Sequence, residues 1–301
     1  MNCIQSWIKS IRLKTLPLAL SNTLMGSALA ASDSDFKWTV FVLAALTTLL
    51  LQILSNLAND YGDFVNGKDT AERIGPKRMV QSGEITPKAM LSGIIVVAAM
   101  TLVVGAALIL TGTQGLDSGK LIGFGLLGLA AIVAAIRYTV GRNPYGYRGL
   151  GDLFVFLFFG WVGVIGTYFL HTQSVSPWLL LPASAMGMLS TGVLNMNNMR
   201  DYHADTNAGK RTMVVLMGVP MAKAYHTILV IGALFLASLY VYIHAESPIQ
   251  WIFLLTVPLF LSHIKRVNKH TEALQLAPEL GKLAFFTLLF AFLYGIALVL
   301  W

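Results

Sequence analysis

The chain has 301 residues, 56% of them hydrophobic and only 12% charged, with a mean hydropathy of +0.69. Soluble domains carry about a quarter charged residues, so lipid is the solvent for most of this sequence, and its length does not translate into one or two soluble domains. One cysteine, Cys3, excludes an internal disulfide and a thiolate metal cluster. A formal charge of +7 raises the question of nucleic acid, which the placement of the charges answers below.

A spanning helix needs roughly 20 mostly apolar residues. The opening stretch, "MNCIQSWIKSIRLKTLPLALSNTLMGSALA", runs basic, apolar, then small, in the order of a cleaved leader. Apolar segments continue to the last residue, so it reads as a first membrane helix, retained, over 16–31. Spans follow at 38–57, 89–111, 121–140, 150–170, 178–196, 222–243, 249–263 and 283–301, nine in all. Pro17, Pro182 and Pro258 fall near segment ends or bends, where a membrane helix tolerates them. The predicted fold is all-α: a polytopic membrane bundle in one domain, 1–301.

Nineteen of the 21 Lys and Arg residues fall on one side of this map, with only Lys37 and Lys120 on the other. Basic residues stay cytoplasmic, which puts the N-terminus inside and the C-terminus outside. The positive charge is thus a topology signal, and no nucleic acid partner is implied. The outer loops are short, and the two longest loops, 58–88 and 197–221, are both cytoplasmic.

Those two loops share a pattern. "DFVNGKDT" at 63–70 and "DTNAGKRT" at 205–212 both read D-x-x-x-G-K-x-T, each preceded by Asp-Tyr and by upstream asparagines, which marks an internal repeat of a helix end plus a loop. If the helix continues through the first copy, Asn56, Asn59, Asp60 and Asp63 share a face; Asn198, Asp201 and Asp205 do the same in the second. Four carboxylates facing a bundle interior need a cation. No basic residue falls on these faces before Lys68 and Lys210, so a divalent metal is the better account. Carboxylate and amide oxygens suit Mg²⁺, which commonly shares its coordination with phosphate. A diphosphate would then need basic partners on the same side, drawn from Lys68, Arg73, Lys77, Arg78, Arg137, Arg142, Arg148, Lys210 and Arg211. The Gly-Lys pairs are not a phosphate loop: the spacing fails and no strand precedes them.

The third cytoplasmic loop, "RYTVGRNPYGYRGLGDLF", offers Tyr138, Tyr145 and Tyr147, either as an interfacial belt or as an active-site wall whose faces stabilise a cation. Asp152 orients a base or holds a loop. His203 does not share a face with both Asp201 and Asp205, so it reads as a donor near substrate rather than a ligand, and the other histidines show no ligand spacing. Glu72, Glu84, Glu272 and Glu279 read as loop surface. Together these features fit a lipid with a diphosphate head. Phosphoryl transfer and carbon–oxygen cleavage of an allylic tail both remain open on these grounds, and a transporter is the rival from another class.

The stretches "NLANDYGDFVNGKDTAERIGPKR", "NPYGYRGLGD" and "NNMRDYHADTNAGKRT" resemble the UbiA-type intramembrane prenyltransferases over nearly the whole chain. The resemblance implies a Mg²⁺-dependent transfer of a polyprenyl chain from its diphosphate to an aromatic ring, in a multi-pass protein of the bacterial inner membrane. Asn59, Asp60 and Asp63 match the first metal motif, and Asp201 and Asp205 the second. The family's further acid, four residues on, is here Gly67, and the next acid is Asp69. The branch it most resembles acts on 1,4-dihydroxy-2-naphthoate with loss of CO₂, giving demethylmenaquinone; a sister branch prenylates 4-hydroxybenzoate.

Overall fold

The computed structural model describes residues 3–69, 75, 77–270 and 272–300. In chain order these form α1 (Cys3–Ile11), α2 (Leu16–Ser32), α3 (Trp38–Val65), α4 (Pro87–Gly112), α5 (Ser118–Arg137) and α6 (Gly151–Thr172). Then come α7 (Pro177–Arg200), α8 (Tyr202–Asn207), α9 (Met213–Met217), α10 (Val219–His244), α11 (Pro248–Lys269) and α12 (Ala273–Val299). No strand occurs among the described residues. Eight of the helices, α3 to α7 and α10 to α12, are long and apolar enough to cross a membrane. The expected first span is α2, which has 17 residues.

Local chemistry sets the helix starts. The Thr86 hydroxyl accepts the Ala89 N–H at 3.2 Å ahead of Pro87, and Asp117 caps α5 by accepting the Lys120 N–H at 3.1 Å. Ser247 and Gln250 form a reciprocal capping box at the start of α11.

The apolar surface is inverted relative to a soluble protein. Ile95, Val96, Val103 and Leu110 of α4 and Ile122, Leu126 and Leu129 of α5 are exposed. In water so wide a patch would drive association; against acyl chains it needs no cover. The main core gathers Met25, Leu29, Met186, Leu189, Phe260, Phe290 and Tyr294 around α7. A second cluster of Leu54, Leu57, Met79, Met90 and Ile94 joins α3 and α4 to the loop between them. Small residues let the helices close up, as is usual in lipid. A Cβ added at Gly26 of α2 would lie 2.4 Å from the Val164 carbonyl oxygen of α6. There α6 widens into a π-helix over Phe156–Gly166. The last helix, α12, runs along α2, with Gly295 set against Ala28.

Three expectations change. An amphipathic α1 precedes α2, with Ile4 and Ile8 exposed. The final helix begins at Ala273 rather than 283. Consequently Glu279 is not loop surface: it is 2% exposed within α12 and accepts from His263 Nδ1 at 2.8 Å, Arg266 Nε at 2.9 Å and Lys282 Nζ at 2.7 Å. His263 also meets His226, Nε2 to Nε2, at 2.9 Å. Periodicity hid this network because its members come from three helices. Glu279→Ala is expected to cost about 1–3 kcal/mol, read by thermal unfolding in detergent, because the His263 N–H loses its acceptor in a dry site. The larger cost of a broken buried ion pair is not expected, since Arg266 and Lys282 are 34% and 46% exposed and rehydrate.

Candidate active site

Helix α3 does run through the first acidic cluster, to Val65. Both copies of the shared motif end in the same turn. Gly67 and Gly209 take φ of 62° and 68°, a left-handed conformation that only glycine adopts freely. The Lys68 N–H then bonds the Asp63 carbonyl at 2.7 Å, and the Lys210 N–H the Asp205 carbonyl at 2.9 Å. Each turn sends its lysine toward the other copy. Lys68 Nζ donates to the Ala208 carbonyl at 2.5 Å. Lys210 Nζ sits 3.1 Å from Asp63 Oδ1 and 3.3 Å from Asp205 Oδ1.

Asp63 is therefore the meeting point. Arg78 pairs with it, the Tyr147 hydroxyl donates to it, and Lys210 lies 5.2 Å from the Tyr147 ring centre. Arg78 also donates to the Asn59 carbonyl and pairs through Nε with Asp69 at 2.8 Å. In the second cluster Arg200 grips Asp201 through Nε at 2.8 Å and Nη2 at 2.7 Å, and reaches Asn197 Oδ1 at 2.8 Å. Basic residues thus meet the acidic faces, contrary to the sequence expectation: Arg78 and Lys210 fold back onto Asp63 from other segments, and Arg200 turns onto its own neighbour, Asp201.

The first cluster is divided. Asp60, expected beside Asp63, turns away: its oxygens accept the Met79 N–H at 3.0 Å and the Val80 N–H at 3.2 Å. Asn59 and Asp63 are one turn apart and share a face, whereas Asp60 lies about 100° round the helix from Asn59. Asn56 is also drawn off, donating to the Ile11 carbonyl at 2.8 Å and to Thr15 Oγ1 at 3.0 Å.

Two cavities meet at this point. A polar one of about 50 Å³ is lined by Asn59, Asp63, Arg78, Tyr147, Asn198, Asp201, Asp205 and Lys210, among others. A larger, mostly apolar one of about 330 Å³ runs between α2, α3, α5 and α6, past Leu51, Leu127, Phe154, Phe158 and Val162. Arg12, Asn59, Tyr138 and Asn197 line both. Tyr145 faces the large cavity, its ring edge-on to Tyr138 at 5.4 Å and stacked on Phe154 at 4.2 Å, and its hydroxyl donates to the Ala134 carbonyl. The tyrosine loop is therefore a wall of the site, and burial pushes the phenols of Tyr138, Tyr145 and Tyr147 up, keeping them neutral donors.

Other expected residues lie elsewhere. Arg137, Arg211 and His203 are exposed and line neither cavity. Arg73 lies outside the described residues. Asp152 is buried at the start of α6, its carbonyl accepting from Thr191 at 3.4 Å. Sequence reading missed Arg12, which looked like one more cytoplasmic charge, and Thr139, whose hydroxyl donates to the Ala58 carbonyl at 2.9 Å and reaches Asn59 Oδ1 at 3.1 Å.

Among the described residues no three His, Cys, Asp or Glu side chains lie close enough to hold a metal by themselves. The donor chemistry nevertheless fits a hard cation. Asp63 and Asp205 face each other across a single ammonium, Lys210, which stands where a shared positive ion would sit. Asn59 and Asp201 add oxygen donors to the same small cavity. A set this sparse suits Mg²⁺, which takes one or two carboxylates and fills its shell with water and phosphate oxygens.

The chain matches the UbiA prenyltransferase family over residues 19–277. It is 42% identical over 299 residues to the 1,4-dihydroxy-2-naphthoate octaprenyltransferase of Escherichia coli (strain K12), covering 99% of this chain and 96% of that protein. It is equally 42% identical, over 302 residues, to the protein of that name from Haemophilus influenzae, with 99% and 96% covered. A solved UbiA homolog from Archaeoglobus fulgidus bound to DMAPP and Mg²⁺ shares the fold at a TM-score of 0.65, with 18% identity over 98% of this chain and 99% of that one. Sequence match and fold agree: the chain belongs to the UbiA prenyltransferase family.

Proposed function

We propose that this enzyme transfers a polyprenyl group from its diphosphate to 1,4-dihydroxy-2-naphthoate, releasing diphosphate and CO₂ and giving demethylmenaquinol, the reduced form of demethylmenaquinone. The observation that carries the reading is the approach of Asp63 and Asp205 across Lys210, at the neck of an apolar cavity. The acceptor is supported by the names of the relatives with 42% identity. The same logic extends to topology: nine spans, counting α2, in one domain, with the N-terminus inside and both motif turns at the cytoplasmic face of the inner membrane.

Asn59, Asp63, Asp201 and Asp205 would hold Mg²⁺. When bound, it neutralises charge on the leaving diphosphate. The chain's own residues do the rest. Arg78 and Lys210 present donors where the carbon–oxygen bond breaks and its electron pair departs on oxygen. Walls such as Phe154, Phe158 and Val162 exclude the water that would capture the allylic cation. The faces of Tyr138 and Tyr145 stabilise that cation. The ring carbon bearing the carboxylate then forms the new carbon–carbon bond. Cleavage of the ring–carboxylate bond returns an electron pair to the ring. Asp60 serves this scheme as the anchor of the 79–80 loop.

Product identification after incubation with a prenyl diphosphate, Mg²⁺ and either dihydroxynaphthoate or 4-hydroxybenzoate tests the assignment. Demethylmenaquinol, recovered as demethylmenaquinone after oxidation in air, is expected, and prenylation of hydroxybenzoate alone would reverse it.

Burial pushes the Asp205 and Asp69 carboxyls up to about 6, from an ordinary value of about 3.9. Between those values the folded, metal-free chain holds more protons than the unfolded one, so its stability falls as pH rises through that window. Mg²⁺ needs the ionised carboxylates. These two carboxyls therefore favour the folded, metal-free chain more at about pH 5 than at about pH 7, and added Mg²⁺, which needs them ionised, should raise the melting temperature more at the higher pH.

A further inference from the structure

Arg12 stands between α1 and the turn that opens α2, with φ 55° and ψ 64°. A left-handed backbone is unfavourable for any residue with a Cβ, and outliers of this kind gather at ligand sites. The turn is held from outside. Thr15 Oγ1 donates to the Arg12 carbonyl at 2.9 Å, and Asn56 of α3 donates both to the Ile11 carbonyl at 2.8 Å and to Thr15 Oγ1 at 3.0 Å. Asn56, part of the first acidic motif, thus positions an arginine 44 residues upstream.

The arginine so placed lines both cavities. The other cations of the site are occupied: Arg78 by Asp63 and Asp69, Lys210 by Asp63 and Asp205, Arg200 by Asp201. Among the described residues, no carboxylate comes within 4.0 Å of the Arg12 guanidinium and no acceptor takes its hydrogen bonds. Burial lowers its pKa to about 10, Arg78 and Arg200 add repulsion, and Asp60 and Asp63 offset part of it from beyond ion-pair distance. Asp60 and Asp63 act on Arg12 only at a distance and are engaged elsewhere, so its half-buried guanidinium keeps its donors for an anion entering the cavities.

We infer that Arg12 binds the carboxylate of the aromatic acceptor at the neck between the two cavities. The inference rests on the proposed acceptor. In that molecule the carboxylate sits one bond from the carbon that attacks, so it must lie where the diphosphate meets its tail. Arg12 is at that junction, whereas Arg78 and Lys210 line only the polar cavity. Its planar fork matches a carboxylate bidentately. Once the ring–carboxylate bond breaks, CO₂ is neutral and the guanidinium no longer holds it. Arg12 is therefore a binding and positioning residue that acts on acceptor KM more than on kcat.

Arg12→Gly deletes the side chain while suiting the left-handed turn, and Arg12→Lys keeps the charge without the fork. The full-length enzyme in detergent, with Mg²⁺, should show an acceptor KM raised ten-fold or more in Arg12→Gly, a donor KM within three-fold of wild type, and partial recovery in Arg12→Lys. Without turnover, 1-hydroxy-2-naphthoate should stabilise the wild type against heat more than 1-naphthol does, and Arg12→Gly should lose that difference. A raised donor KM with unchanged acceptor KM would assign Arg12 to the diphosphate and overturn the inference. A lowered melting temperature with both KM values unchanged would reduce Arg12 to a structural role and overturn it as well. If the wild type makes no product from dihydroxynaphthoate, the proposed acceptor fails; the melting comparison still decides whether Arg12 selects a carboxylate.

Discussion

Asp63→Asn is expected to lower prenyl transfer by about 10²–10³-fold, the scale on which removal of one charge-stabilising group acts. Arg78, Lys210 and Tyr147 all converge on this carboxylate, and with Asp205 it forms the pair that spans the two motifs. Asparagine keeps the shape and one acceptor but removes the charge. It also leaves Arg78, 6% exposed, and Lys210, 11% exposed, short of a counter-charge. Breaking such a buried arrangement costs about 3–5 kcal/mol, so activity must be read beside thermal unfolding of the purified variant, and per folded molecule. Asp60→Asn is the paired control. Its amide oxygen can still accept from the Met79 or Val80 N–H, so the loss of activity should be far smaller. Equal losses in the two variants would return Asp60 to the metal set.

Gly26→Val is expected to prevent stable folding. Overpacking a tight contact usually costs about 1–3 kcal/mol and sometimes more. Here the obstacles to a Cβ are the Val164 carbonyl oxygen at 2.4 Å and the Thr167 Cβ at 2.9 Å. Backbone cannot swing aside like the end of a flexible side chain, so α2 and α6 must separate. The α6 stretch concerned is the π-helix that carries Phe158 and Val162 into the apolar cavity. Even Gly26→Ala should lower the melting temperature and the yield of monodisperse protein in detergent. Gly123→Ala, on α5 with nothing within 4 Å of the added Cβ, should leave both unchanged.

Hydropathy made the spanning helices legible, because lipid demands long uninterrupted apolar runs. The repeated motif pointed to the two matching turns around the candidate site, since its glycines and lysines close the same turn twice. Spacing alone could not divide Asp60 from Asp63. Both lie on the inner half of α3, and only the loop at 79–80 decides which of them faces the cavity. Glu279 escaped notice because its partners come from α11 and from its own helix, beyond a boundary placed too late. Arg12 was invisible for a related reason. An arginine flanked by Lys9 and Lys14 ahead of an apolar run follows the positive-inside rule, and its left-handed turn is held by Asn56, a residue from another helix.

The pairing of α12 with α2 joins the two ends of the chain. During synthesis, α2 emerges well before α12, the neighbour that covers its Ala28 side. A fragment cut before α12 would therefore leave the Ala28 side of α2 uncovered.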